Sequence, residues 1–236
     1  MRQCKIGISS WQLSLKNYRS MPIDKDKYSK MYIDFPCDFY AKEMLAHGLR
    51  KMWLAKRQNL TRFFVQKYCQ NGILLDIGCG NCLWNTQAKP VIGIDICESM
   101  LRYNHQKNLL FTPLAADISE GLPIRSETAG TVIITEVLEH FYSYSFIVEE
   151  IWRVLKKDGV VIVSVPYAKL PGIWGIIFPI WCKFKGLKEK NEYYLWNCGH
   201  LVNFGPKMLC DTFHRFTLLE KKQLDLMTMI LVGKKN

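Results

Sequence analysis

Apolar residues along this chain of 236 residues fall into two rhythms. Five short runs rich in Val, Ile and Leu read as buried strands: 73–77, 91–95, 110–115, 131–135 and 160–165. Runs without polar alternation are covered on both faces, which is the habit of parallel sheets. Between them, helical spacing returns at 98–106 and 145–156. The second helix is expected to end at Lys156-Lys157-Asp158-Gly159, with basic residues in its last turn and a glycine stop. Two further runs, 217–223 and 227–232, lie too close together for an intervening helix and read as an antiparallel hairpin. Strands alternating with helices predict an α/β fold, a doubly wound parallel sheet closed by an antiparallel final strand.

Upstream, residues 1–38 show no clear period and are broken by Pro22 and Pro36. From 39 to 68 the pattern turns helical, with Leu45, Leu49, Met52, Trp53, Leu60, Phe63 and Phe64 at three- and four-residue steps and a break near Gly48. Asn71-Gly72 marks the turn into the first strand. The chain therefore divides into a largely helical extension, 1–70, and a main domain, 71–236. Charge follows this boundary. Residues 1–70 hold 14 Lys or Arg against 5 Asp or Glu, and the rest hold 18 against 16, so the formal net charge of +11 belongs mostly to the extension. Such asymmetry suits an anionic partner, either nucleic acid, a membrane surface or an acidic substrate; a solvated face is the plain alternative. No apolar run reaches the ~18 residues that span a bilayer. The N-terminal stretch has no secretory signal pattern, and nine scattered cysteines suggest reduced thiols in a cytoplasmic setting.

The densest chemistry lies at Leu74-Leu75-Asp76-Ile77-Gly78-Cys79-Gly80-Asn81-Cys82, a strand running into an acidic, glycine-rich turn. Asp95 follows nineteen positions after Asp76. A strand, a turn that lets backbone approach a ligand, and a carboxylate able to accept ribose hydroxyls can together seat a nucleoside. A dinucleotide pattern would need a glycine where Leu83 stands, and a phosphate loop is absent. With no basic residue in the turn and Asp76 at its start, a cationic nucleoside with an amino-acid tail fits better than a pyrophosphate. Cys79 and Cys82 form a CxxC with no second pair to complete a zinc site.

With these residues in view, the chain resembles the class I S-adenosylmethionine-dependent methyltransferases, in particular the ubiquinone-biosynthesis O-methyltransferase group. LLDIGCGNC is similar to the first family motif, VIGIDICESML to the second strand and helix start, LAADISEGLPIRSETAGTVIITEVLEHF to the third and fourth strands, and IWRVLKKDGVVIVSVP to the fifth. The resemblance covers 72–166 closely and 200–233 loosely. It implies a Rossmann-like, seven-stranded sheet and S-adenosylmethionine as cofactor. Asp76, Gly78 and Gly80 would line the methionine moiety. Asp95 would take the ribose hydroxyls, with Ile96 flanking the adenine. Asp117 and Ile118 would face the adenine, and Glu136 would lie near the methionine tail or the acceptor. Helix N-caps are the competing roles for Asp95 and Asp117. Cys82 stands at the third glycine position of the common pattern, and the short interval to Asp95 leaves room only for a stubby helix at 83–88.

Methyl transfer is an in-line displacement that rests largely on positioning, and a hydroxyl acceptor also gains from a general base. His140 and His200 are the candidate catalytic residues, with a structural hydrogen bond as the alternative for each. Glu136, Glu139, His140 and His200 have ligand types suited to a divalent cation. Similar residues bind metal in some ubiquinone-type and small-RNA 2′-O-methyltransferases. Between the fifth strand and His200 lies an acceptor-side insert, 167–199, with an apolar stretch at 173–181 interrupted by Pro179 and followed by Lys183, Lys185, Lys188 and Lys190. It suits an interfacial membrane contact or a lid over a greasy acceptor, with Tyr193, Tyr194 and Trp196 walling the pocket. Three readings stay open. The first is a methyltransferase for a small, apolar acceptor with oxygen as the target. The others are an RNA 2′-O-methyltransferase, weakened by the lack of an RNA-binding module, and a non-catalytic binding protein that keeps the fold.

Overall fold

The computed structural model describes residues 30–45 and 49–236; the expectations for 1–29 and for the break near Gly48 lie outside the described residues. The helices are α1 (Phe39–Leu45), α2 (Leu49–Tyr68), α3 (Glu98–Lys107), α4 (Tyr144–Val154), α5 (Trp174–Glu189), α6 (Glu192–Leu195) and α7 (Pro206–Thr212). The strands are β1 (Ile73–Ile77), β2 (Val91–Asp95), β3 (Phe111–Ala115), β4 (Ala129–Thr135), β5 (Leu155–Pro166), β6 (Thr217–Leu224) and β7 (Thr228–Lys234). They form one seven-stranded sheet in the order β3-β2-β1-β4-β5-β7-β6. Strands β1 to β5 pair in parallel and β7 runs antiparallel between β5 and β6.

The alternation of side chains along each strand builds two separate cores. Leu75, Val132, Ile134, Val161 and Val163 face one side, where Ile147, Ile151 and Val154 of α4 cover them. Leu74, Ile133, Val160 and Ile162 face the other, where Phe64 and Val65 of α2 cover them. The chain runs from β1 outward to β3 and then returns to β4, so the strand order reverses between β1 and β4. A crevice opens at the carboxyl ends of strands at such a switch point.

Three local expectations are corrected. No helix forms at 83–88; residues 78–90 are turns. The Asn85 side chain accepts from the Lys89 N–H at 2.9 Å and donates to the Lys89 carbonyl at 2.9 Å. Such local bonds compete with helix formation, and Cys82 and Ala88 adopt positive φ. Helix α2 covers the gap instead, with Arg62 Nε donating to the Trp84 carbonyl at 2.9 Å. Second, Lys156-Lys157-Asp158-Gly159 is not a helix end. The helix stops at Val154, Leu155 pairs with Ala129, and Gly159 and Asp158 exchange backbone bonds with Lys235. Third, the apolar stretch 173–181 is not interrupted at Pro179: α5 runs through it.

The apolar period of α2 is also displaced from the expected one. Trp53, Leu54, Thr61, Phe64 and Val65 are buried, whereas Met52 and Phe63 are exposed, as is Leu45 in α1. Arg57 and Gln58 share the inner face, so this helix carries polar groups inward as well as apolar ones.

Phe64 is fully buried against the sheet. Phe64→Ala should cost about 3–5 kcal/mol of unfolding free energy in a denaturant titration. A loss below ~1 kcal/mol would show α2 to be a loosely attached appendage.

Candidate functional site

One cavity of about 1380 Å³ occupies the crevice. That exceeds the ~300–1,000 Å³ of a site for one small ligand, so two ligands fit side by side. Its walls come from the glycine turn, the ends of β1, β2 and β4, helices α2 and α5, and residues 32–40.

At one end the turn after β1 bends back on β2. Gly78 has φ +62, and a Cβ there would lie 2.5 Å from a Val137 methyl, so only glycine fits. Its N–H donates to the Ile94 carbonyl at 2.8 Å. Asp95 holds the turn from the next strand: its carboxylate accepts from Gly80 N–H at 2.8 Å and from Cys97 N–H at 2.9 Å. The bond to Cys97 is a turn bond two residues on; Cys97 is itself the N-cap of α3, so Asp95 lines the cavity without capping the helix. Asp76 is buried, and one oxygen accepts from Trp84 Nε1–H at 2.8 Å and from the Cys82 thiol at 3.3 Å. Burial pushes its carboxyl up to about 7, against the pull of those two donors. Cys82, at the third glycine position, takes φ +47, so it supplies the left-handed conformation a glycine would adopt more cheaply.

Ile96, Ile118 and Asp117 line the same end. Asp117 accepts from Ser119 N–H at 2.9 Å and caps the short 3₁₀ turn Ile118–Glu120, as its alternative reading expected. A cover closes over this end from the N-terminal side. Asn81 accepts from the N–H groups of Tyr40 and Ala41 at 3.0 and 3.1 Å and donates to the Cys37 carbonyl at 2.7 Å. The Tyr40 ring thereby lies within 3.0 Å of where a Gly80 Cβ would be.

At the other end the carboxylates diverge. Glu136, at φ +56 beyond β4, accepts from Ser164 Oγ–H at 2.8 Å and pairs with Arg57 of α2 at 3.3 Å. It therefore stands apart from the expected four-residue metal set. The remaining three do converge: ligand atoms of Glu139, His140 and His200 lie within 4.8 Å of one another. Glu139 is buried with neither carboxylate oxygen hydrogen-bonded, and both imidazole Nε2 atoms are 3.9 Å from it. Burial raises the Glu139 carboxyl well above the usual range, reinforced by nearby Glu136. Burial also lowers His140 to about 4 and His200 well below its ordinary value, so both imidazoles are neutral at pH 7. His140 Nδ1 lies 3.1 Å from the Gly199 carbonyl and 2.9 Å from the Tyr32 hydroxyl, which itself donates to the Cys198 carbonyl. That arrangement puts the proton on Nδ1 and leaves the Nε2 lone pair facing the cluster.

The acceptor-side wall is aromatic. Arg57 lies 4.7 Å over Trp53, Trp53 stacks on Trp174 at 4.6 Å, Trp174 on Phe178 at 4.4 Å, and Phe178 on His200 at 4.7 Å. Tyr193 joins this wall; Tyr194 packs behind it against Trp181, and Trp196 lies outside the cavity. Arg57, Trp84, Asn81, Tyr32 and Tyr40 were not singled out from the sequence. Only Arg57 left a usable signal, four residues from both Trp53 and Thr61 and hence on the buried face of α2.

Residues 75–163 match the family model described as "Methyltransferase domain". No curated protein matches the chain at the level of sequence. Solved structures match through the fold. A magnesium protoporphyrin IX methyltransferase from Synechocystis, solved with bound SAH, is 16% identical with TM-score 0.63, over 90% of this chain and 100% of that one. A SAM-dependent methyltransferase from Thermotoga maritima, described as a possible histamine N-methyltransferase, is 18% identical with TM-score 0.61, over 89% of this chain and 100% of that one. The [4+2]-cyclase SpnF is 15% identical with TM-score 0.58, over 75% of this chain and 80% of that one. At these identities the likeness shows the fold, and a cyclase among the matches means that the reaction has to be argued from the site.

Asp76 yields a prediction with a definite sign. Its carboxyl sits near 7 in the folded protein against an ordinary 3.8, so the folded state keeps a proton that the unfolded chain has lost. The stability it contributes is complete below about pH 4 and is lost as pH rises through about 7. Buried Asp95, Glu136 and Glu139 are shifted in the same direction and add to that decline. Asp76→Asn keeps an oxygen for Trp84 and should flatten the fall in unfolding free energy between roughly pH 4 and pH 7, measured by urea denaturation. An unchanged slope would mean that Asp76 is ionised throughout.

Proposed function

We propose that this chain, whose residues 75–163 match a methyltransferase domain, is a class I enzyme that transfers the methyl group of S-adenosylmethionine to a hydroxyl oxygen of a small, apolar acceptor. The observation that carries this reading is the crevice cavity, with an acidic glycine turn at one end and a buried Glu-His-His cluster under an aromatic wall at the other. Carboxylates outnumber ammonium and guanidinium groups seven to two along its lining. A low-dielectric pocket with that balance favours a cationic guest, which is the charge of a sulfonium bearing an ammonium tail. It opposes a phosphate chain, and this counts against the RNA reading despite the basic extension.

The donor brings an intrinsically activated methyl group, so the protein's part is to position, desolvate and accept a proton. Asp95 retains lone pairs for ribose hydroxyls after meeting Gly80 and Cys97. Asp76 places negative charge beside the ammonium end, and ligand binding would draw its carboxyl back toward ionisation. Arg57 Nε is buried without a hydrogen-bond partner, and it offers a donor to the carboxylate of the amino-acid tail. As the acceptor oxygen bonds to the methyl carbon, the sulfonium carbon–sulfur bond breaks to leave the neutral thioether, and the oxygen's proton passes to Nε2 of His140. The aromatic wall selects an apolar body for that acceptor.

Glu139, His140 and His200 have the composition of a two-histidine, one-carboxylate divalent-metal site. The unpartnered Glu139 oxygens fit this assignment, and so does the His140 Nδ1 bond to a backbone carbonyl, which is the usual second support of a metal-bound histidine. A cation there would take the His140 Nε2 lone pair and, in place of that base, lower the acceptor hydroxyl's pKa.

Titration calorimetry with S-adenosylmethionine should show saturable binding that Asp95→Ala weakens about tenfold to a hundredfold, the cost of a lost charged hydrogen-bond partner. Unaltered affinity would sink the ribose assignment. Incubation with methyl-labelled donor and a panel of phenols, catechols and isoprenoid alcohols should label an oxygen; transfer to RNA instead would favour the second reading. Mn²⁺ titration should show a site lost in Glu139→Gln. Failure to bind Mn²⁺ would remove the metal and leave His140 as base.

A further inference from the structure

Helix α5 has two apolar faces, and only one of them is used. Trp174, Phe178, Cys182 and Gly186 are buried, at four-residue steps. Ile176, Ile177, Ile180, Phe184 and Leu187 are 56, 50, 56, 74 and 63% exposed. At about 100° per residue, these five project from the side opposite the buried four. Exposed Lys183 and Lys190 fall on one flank of this stripe and exposed Lys188 on the other. Leu170, just before the helix, is 79% exposed, and Lys169 beside it is exposed too. An isolated exposed leucine needs no explanation, but a contiguous apolar stripe edged by lysines does.

We infer that α5 is a membrane-docking element that lies in the interface of an anionic bilayer, with the stripe in the acyl boundary and the lysines among acidic headgroups. Among the described residues no helix is long and apolar enough to cross a membrane, so the mode is surface insertion, about 5–10 Å deep. Charge complementarity selects the occupant. The chain's formal charge is +11, whereas the charged groups lining its cavity are mostly acids, so little of the positive charge lies in the cavity. A nucleic acid could meet the lysines but would offer nothing apolar to Ile176, Ile180 and Leu187. The stripe also adjoins the cavity: Ile177 belongs to both, and Met52 of α2, 57% exposed, sits on the same cavity's wall. An apolar acceptor held in the bilayer would therefore reach the cavity without crossing water. This inference extends the proposed function but its test is independent of catalysis.

The test is co-sedimentation of the full chain with vesicles of phosphatidylcholine mixed with phosphatidylglycerol, against phosphatidylcholine alone, at low and high salt. Light scattering and donor-binding calorimetry accompany each variant. The wild type should partition onto the mixed vesicles, and salt should weaken it. Phe184→Glu should reduce partitioning at least ~tenfold, and the combined Lys183→Glu, Lys188→Glu and Lys190→Glu should do so by a similar factor on the anionic vesicles. Both should keep a cooperative unfolding transition, and their affinity for S-adenosylmethionine should match the wild type's, whatever that is. Absence of vesicle binding overturns the proposal, as does equal binding by the variants. A wild-type dimer that Phe184→Glu converts to monomer overturns it too, in favour of a second copy covering the stripe.

Discussion

The ion pair between Arg57 and Glu136 is the interaction on which the arrangement of the site depends. It joins a helix upstream of the sheet to the carboxyl end of β4, with both side chains nearly excluded from water. A buried pair of this kind adds little net stability, but removing one partner leaves an uncompensated charge in the interior. Its value is positional. Holding Arg57 inward places Trp53 beneath the guanidinium, Trp53 then carries Trp174 and Phe178 of the insert, and that stack ends on His200. The insert helix, the cluster around Glu139 and the upstream helix are thus registered against one another through a single guanidinium.

The same constraint explains why α2 belongs to the domain it precedes. A connector after β1 without a crossover helix leaves a sheet face bare, and a parallel sheet must be covered on both faces. Phe64 and Val65 cover it, while Arg62 reaches the Trp84 carbonyl to hold the connector down. Trp84 then reaches Asp76 from beneath. One helix therefore supports both ends of the cavity, the glycine-turn end through Trp84 and the Glu136 end through Arg57.

Charge is sorted across the molecule in a way that its total conceals. A chain carrying +11 overall concentrates carboxylates where it is driest, and burial raises Asp76, Asp95, Glu136 and Glu139 together. Groups held in that state gain most when a cation arrives, because the guest restores the charge that desolvation disfavoured. Lys183, Lys188 and Lys190 of the insert are exposed beside an apolar stripe, whereas Lys185 turns inward to Glu43.

The sheet could be read from the sequence because its determinants are local. Uninterrupted Val and Ile runs such as 132–134 belong to strands covered on both faces, and Ile73–Ile77 and Val91–Asp95 emerge with the bounds their composition predicts. The glycine turn was equally legible, since Gly78 has no alternative at φ +62 against Val137. Sequence by itself thus determined the strand order's raw material and the acidic turn. Only the tertiary structure decided the rest. Asn85 closing on Lys89 outweighed the helical spacing at 83–88, and pairing with Ala129 and Lys235 drew 155–159 into a strand. Glu136 and Glu139, three residues apart in one motif, went to different partners because β4 ends between an arginine arriving from one direction and two histidines converging from others. Which charge a buried carboxylate meets depends on segments brought together by packing across more than sixty residues of chain, and no local pattern records that.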